Sequence, residues 1–231
     1  MSITSSTLTR LAAVAAGTAG LLFIGVQIGH PHADVETITT TEVAVRNTVK
    51  LVMAALVLVG ITGMYLRQTR EAGLLGLIGY LVFGAGYLLI MSTTFVAAYV
   101  LPSLATSDPA YVQDVLDVAT GRATGGDIGA LGTVFQLQGF AYLAGGLLFG
   151  IALYRARVLT RWAAALLAVS GLVSAALTYL PDAFYRLLAF PNAVAMIALG
   201  WSLWQVARAD ERPAATRPAP AAAQVATAGA S

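Results

Sequence analysis

The placement of charges relative to apolar runs is what most constrains this chain. Six stretches, near residues 11–28, 49–66, 73–101, 128–154, 162–180 and 187–206, are almost wholly apolar. No Asp, Glu, Lys, Arg or His falls in the middle of any of them. Crossing about 30 Å of hydrocarbon takes about 20 apolar residues in an α-helix that rises about 1.5 Å per residue, and each run approaches or exceeds that reach. Strands of a membrane barrel would instead be short segments of alternating polarity, whereas these runs are continuous and rich in Leu, Ala and Gly. The expected fold is therefore all-α, a polytopic transmembrane helical bundle of about six spans. Only 10% of the chain is charged and 58% is hydrophobic, against roughly 25% charged in soluble domains. The third run, 73–101, would make a helix of roughly 43 Å, so it should tilt or protrude.

The connectors indicate an orientation, because cytoplasmic loops retain Lys and Arg. One side carries Arg10, Arg67, Arg70, Arg155, Arg157, Arg161, Arg208, Arg212 and Arg217 against Glu71, Asp210 and Glu211. The other carries Arg46, Lys50, Arg122 and Arg186 against Asp34, Glu36, Glu42, Asp108, Asp114, Asp117, Asp127 and Asp182. The arginine-rich side, with both termini, is expected in the cytoplasm. Residues 1–10 then form a cytoplasmic N-terminus, 11–208 the membrane domain and 209–231 a disordered cytoplasmic tail, mainly Ala with Pro213, Pro218 and Pro220 and too poor in large apolar residues to build a core. Arg10, the first run and Ala33 also have the layout of a signal peptide, whose removal would leave five spans. The run is long for such a segment, and Pro31 fits the cleavage motif badly.

The loops on the acidic side carry local signals. Thr39 and Glu42 have capping-box spacing, so the second helix is expected to begin near Thr40 and to carry Glu42, Arg46 and Lys50 as a solvated ladder, with the Lys50 stem snorkelling to the interface. Asp108 and Pro109 are a helix start, after which Val112, Val115, Leu116 and Ala119 share one face and Gly121 ends the element. This short amphipathic outer helix reads as a packed connector in preference to a lid over a cavity.

Helices in lipid associate through small residues that let backbones approach. Ala12, Ala16 and Gly20 in the first run, Gly146 and Gly150 in the fourth, and Ser170, Ser174 and Thr178 in the fifth are the expected contacts. The turns around Gly63, Tyr65, Arg67 and Arg70 and around Gly150, Tyr154, Arg155 and Arg157 look alike, which would fit repeated hairpins or a shared topogenic pattern. Aromatic residues at run ends, Tyr154, Trp162, Tyr179, Phe184, Tyr185, Trp201 and Trp204, suit interfacial anchoring.

Chemistry is mostly excluded. The chain has no cysteine, which removes disulfides and thiolate metal sites, and a single lysine argues against a nucleic-acid surface. His30 and His32 lack the partner spacing of a metal site. No metal, no cofactor and no catalytic residue is expected. The polar candidates within the runs are Gln136, Gln138 and Asn192. Gln136 and Gln138, two apart, cannot share a helix face, so one should bond a neighbouring helix while the other faces a second neighbour or a cavity; Asn192, after Pro191, could satisfy a kink.

The turn Arg155–Trp162, the apolar run after it, and Pro191 to Trp204, ending Gly-Trp-Ser-Leu-Trp, together with Thr9-Arg10-Leu11 leading into Gly17 to Leu22, resemble small six-span bacterial integral membrane proteins grouped as domains of unknown function. The resemblance implies a fold, and with the charge pattern a bacterial cytoplasmic membrane, but no activity. Three functions are weighed. A non-catalytic scaffold or accessory subunit, partnered by the lipid bilayer, other membrane proteins or a second copy of itself, comes first. A facilitator of a small neutral or lipophilic solute is the alternative, and a lipid-acting enzyme ranks last for want of a nucleophile and base.

Overall fold

Long uninterrupted apolar runs without a central proline favour continuous helices, and the computed structural model contains no strand among the described residues, which are 4–29, 33–177 and 189–210; side chains are described for all of these except 174–177 and 189. In order the elements are α1 (Ser5–Gly25), α2 (Val35–Ile38), α3 (Thr41–Arg67), α4 (Thr69–Phe95), a π-helical turn (Val96–Val100), α5 (Leu101–Leu104), α6 (Pro109–Ala119), α7 (Ala130–Ala156), α8 (Arg161–Leu177) and α9 (Ala189–Asp210). Four segments, Ser5–Gly25, Thr41–Arg67, Thr69–Leu104 and Ala130–Ala156, are long and apolar enough to cross a membrane; α8 contains a shorter apolar helix, Arg161–Val173. The fifth and sixth runs are helical in α8 and α9 over their described residues.

Several boundaries differ from the sequence expectation. Thr4 caps α1 by accepting from Thr7 N, so residues 5–10 are helical and not a separate terminal segment. The start of α3 agrees with the expectation, since Thr40 caps it by accepting from Val43 N. The capping box is at Asp34 and Thr37, not at Thr39 and Glu42. The long third run is helical as far as Leu104. Its helix continues through a π turn, in which Leu101 N donates to Val96 O, five residues back. Pro102, at the start of α5, has no N–H to continue the ladder there.

The long helices close a ring in chain order. α1 packs on α3, α3 on α4, α4 on α7, α7 on α8, α8 on α9, and α9 returns to α1. Neighbours are antiparallel, so among the described residues Arg10, Arg67, Arg70, Arg155, Arg157, Arg161 and Arg208 lie at one end. Asp34, Glu36, Glu42, Asp108, Asp114, Asp117 and Asp127 share the other with α2, α5 and α6. The connections at the arginine-rich end are tight. A single residue, the fully buried Gln68, joins α3 to α4, whereas α7 ends on Arg157 in a left-handed conformation with φ 59°. The two turns that look alike in sequence are therefore built differently.

Inside the ring the contacts are small or interlocked. Phe83 of α4 packs against Gly145 of α7, while Phe149 and Tyr142 of α7 lie against Gly79 and Gly86 of α4; a Cβ added at Gly79 would fall 2.5 Å from Phe149 N, and one at Gly86 2.8 Å from Tyr142 N. At these three glycines it is the opposing backbone that occupies the space a side chain would take. Outside, the polarity is inverted relative to a water-soluble bundle. Val45, Val52, Val59 and Leu66 on α3, Leu74, Leu81, Leu88 and Phe95 on α4, and Val14, Leu21 and Ile28 on and just beyond α1 are all exposed. Their spacing of seven residues draws a continuous apolar row along each helix, far beyond the patches of a few hundred Å² that soluble monomers tolerate.

Candidate functional site

At the acidic end the ring is hollow. A cavity of about 280 Å³ lies between α3, the outer third of α4, its π turn, α7, the α2 segment and the underside of α6. The α6 helix forms for local reasons: Asp108 accepts from Tyr111 N at 3.1 Å with Pro109 next in line, while Gly121 closes the element at φ 75°. Val112, Val115 and Leu116 are buried in an apolar cluster with Ile38, Leu101, Ala105 and Ile128. The face expected from the sequence is thus the one that packs, and Val115, Leu116 and Ala119 also roof the cavity. Asp114 and Asp117 lie off that face, Asp114 accepting from Thr124 Oγ1 and Asp117 pairing with Arg122 at 2.8 Å.

The polar wall comes mainly from α3. Val43, Asn47 and Lys50 lie at i, i+4 and i+7 on one face and all line the cavity. Lys50 is therefore a cavity residue more than two turns inside a helix that starts early, and not the snorkelling end of a span. Arg46 leaves the ladder as well. Its guanidinium donates to the carbonyls of Val26, Ile28 and Gly29 at 3.2, 2.8 and 3.0 Å, satisfying the end of α1, and to Glu42 at 3.0 Å. A solvated helix face was expected; instead one arginine caps a neighbouring helix and the lysine is enclosed. The expectation missed this because the connector from α1 folds back over α3.

Gln138 and Gln136 separate as their spacing requires. Gln138 lines the cavity and accepts from Thr93 Oγ1 at 2.6 Å, joining α7 to α4. Gln136 is exposed on the outside of the ring. Asn192 is 1% exposed and lies in the ring's interior, away from this cavity. Its Nδ2 donates to Tyr87 Oη at 3.0 Å, bridging α9 to α4 across the ring, and its Oδ1 has no partner among the described residues. Asn47, Thr93 and Gln68, all buried, were not singled out in the sequence. Asn47 adjoins charged residues that suggest an exposed face, and only the burial of that face reveals it.

The expected packing positions are contacts wherever side chains are described. Ala12 faces Gly63, Ala16 faces both Gly60 and Gly200, Gly20 lies against Ala193 and Ile197, and Gly150 against Ala164 and Ala168. Gly146 is looser, with the Phe83 ring edge 3.3 Å from where its Cβ would be. Ser170 is buried and donates to Leu167 O of its own helix at 2.7 Å. The side chain of Ser174 lies outside the described set, as do Thr178, His30, His32, Tyr179, Phe184, Tyr185 and the tail beyond 210. At the arginine-rich end, Arg161 stacks on Tyr154 at 4.1 Å and Arg10 lies over Trp204 at 5.5 Å, while Trp162 and Trp201 stay exposed.

Below the cavity the ring is filled. Phe83, Tyr87, Phe149, Ile61, Met64, Leu153, Met196 and Leu199 are essentially inaccessible, so the hollow is closed on the side of the core. Comparison with family models, with curated proteins and with solved structures returns no match for the chain, so geometry alone bears on its role.

Proposed function

We propose that this chain is an integral protein of a bacterial cytoplasmic membrane, crossing it six times with the arginine-rich end and both termini in the cytoplasm. Its role is that of a non-catalytic helical bundle that binds lipids or other membrane proteins. The observation that carries this is the outer surface, where rows of exposed Val, Leu and Phe run the length of the helices, while Ala and Gly bring neighbouring helices close at their seams. Such a surface is matched by hydrocarbon. The separation of arginines from acids onto opposite ends supports the orientation, and the six-helix ring supports counting α8 and α9 as spans.

The absence of cysteine permits a direct test. Single cysteines placed at Asp34, Asp114 and Thr160 are expected to react with a membrane-impermeant maleimide from outside, outside and inside of intact cells respectively. Labelling of Thr160→Cys from outside would overturn the topology, and a protein that stays monodisperse without any detergent would overturn membrane insertion. The alternative role, facilitating a small neutral or lipophilic solute, draws support from the cavity but meets the filled core beneath it. Proteoliposomes are therefore expected to pass neutral solutes no faster than empty vesicles.

A further inference from the structure

We infer that the cavity beneath α6 is a binding site for a single-chain amphiphile with a carboxylate head. This inference rests on the membrane reading above. The polar lining includes three nitrogen donors, the Lys50 ammonium, the Asn47 Nδ2 and the Nε2 of Gln138, whose Oε1 is already held by Thr93, beside the Asp34 carboxylate and four threonines. Asn47 is only 7% exposed and lines the cavity, and its carboxamide makes no hydrogen bond among the described residues. A buried amide without partners is destabilising, and an acceptor head in this cavity would supply the partner. A cationic head would meet the ammonium of Lys50. Asp34 also lines the cavity and opposes any anion, so with Arg46 turned to the end of α1 a head carrying a single negative charge is favoured over a multiply charged phosphate.

The rest of the wall suits a tail. Ile38, Val96, Leu101, Leu116 and Phe135 are apolar, and the π turn supplies part of that surface, as such turns often do at binding sites. At about 280 Å³ the space falls at the lower end of the roughly 300–1,000 Å³ typical of small-molecule pockets. It suits a chain of roughly ten carbons better than a two-chain lipid.

The test is native mass spectrometry of the full chain, released from detergent micelles after titration with decanoate. One decanoate per chain is expected. Asn47→Leu and Lys50→Met should each weaken it about tenfold, Lys50→Arg should retain it, and Ala97→Leu, which fills the cavity and leaves the polar groups in place, should also weaken it. Melting temperature and elution volume identify any variant that has not folded, and Ala97→Leu then carries the test. Equal occupancy in the wild type, Lys50→Met and Ala97→Leu would overturn the inference, as would decanol or decyltrimethylammonium binding as tightly as decanoate. Cysteine labelling of the same preparations separates the two proposals. Lost binding with the expected topology counts against the site alone, and a wrong topology counts against the broader reading.

Discussion

The guanidinium of Arg46 closes the end of a helix to which it does not belong. The last carbonyls of any α-helix lack intrahelical donors, and at α1 three oxygens from the segment Val26–Gly29 converge on this one side chain. Hydrogen bonds from a charged donor contribute more than neutral ones, roughly 1.5–3 kcal/mol where well formed, while the accompanying pair with exposed Glu42 adds a few tenths. Arg46→Ala is therefore expected to lower stability by about 1–3 kcal/mol, measured as thermal unfolding in detergent. Arg46→Lys should recover only part of this, since a single ammonium cannot match a planar fork. Glu42→Ala should cost under about 1 kcal/mol; an equal loss would mean that the ion pair, not the cap, is what matters. At this scale the sequence is least legible. It shows Glu42, Arg46 and Lys50 spaced as a ladder, but the ladder's surroundings depend on where the α1–α3 connector lands. Gln138 and Gln136 were separable by helical geometry alone, yet which of them turned inward was not.

Elements were easier to read, because their causes are local. The Asp108-Pro109 start, the apolar face and the Gly121 stop of α6 are all written within fourteen consecutive residues, 108–121. The capping box at Asp34 and Thr37 was missed because Thr, unlike Glu, is not the usual residue to bond back to the cap. For the long helices, continuous apolarity gave existence and approximate extent; the start of α3 was legible from the polar residues around Thr40, while that of α1 lay in polar sequence that hydropathy does not recognise. Small-residue positions were legible as a class, but their graded importance depends on partners. A Cβ on Gly150 would lie 2.5 Å from Ala168 N and 2.8 Å from Ala164 O, and backbone cannot rotate away. A Cβ on Gly146 would meet only a ring edge at 3.3 Å. Gly150→Ala is thus expected to destabilise by about 1–3 kcal/mol and Gly146→Ala by about 1 kcal/mol or less, both followed by unfolding in detergent. The reverse order would show that α7 and α8 do not pack as described.

For the whole molecule, the closed ring means that each long helix has two neighbours, and side chains must reach inward for opposite helices to communicate. Asn192 and Tyr87 do so between α9 and α4, in a region where both are essentially buried. Interhelical hydrogen bonds in membrane proteins average about 0.6 kcal/mol, with a maximum near 1.7. A double-mutant cycle with Tyr87→Phe and Asn192→Ala is therefore expected to return a coupling in that range, and a coupling indistinguishable from zero would remove this bridge from the account. Ring closure could not be read from sequence, since six apolar runs are compatible with many packings.

The pairing of α4 with α7 limits how such a ring can move. Gly79, Gly86 and Gly145, spread over about two turns of antiparallel helix, let the two backbones meet, and a slide of one turn would bring positions that carry side chains to those close approaches. The pair consequently has one register and should behave as a rigid spine. Any breathing of the bundle is left to the other seams.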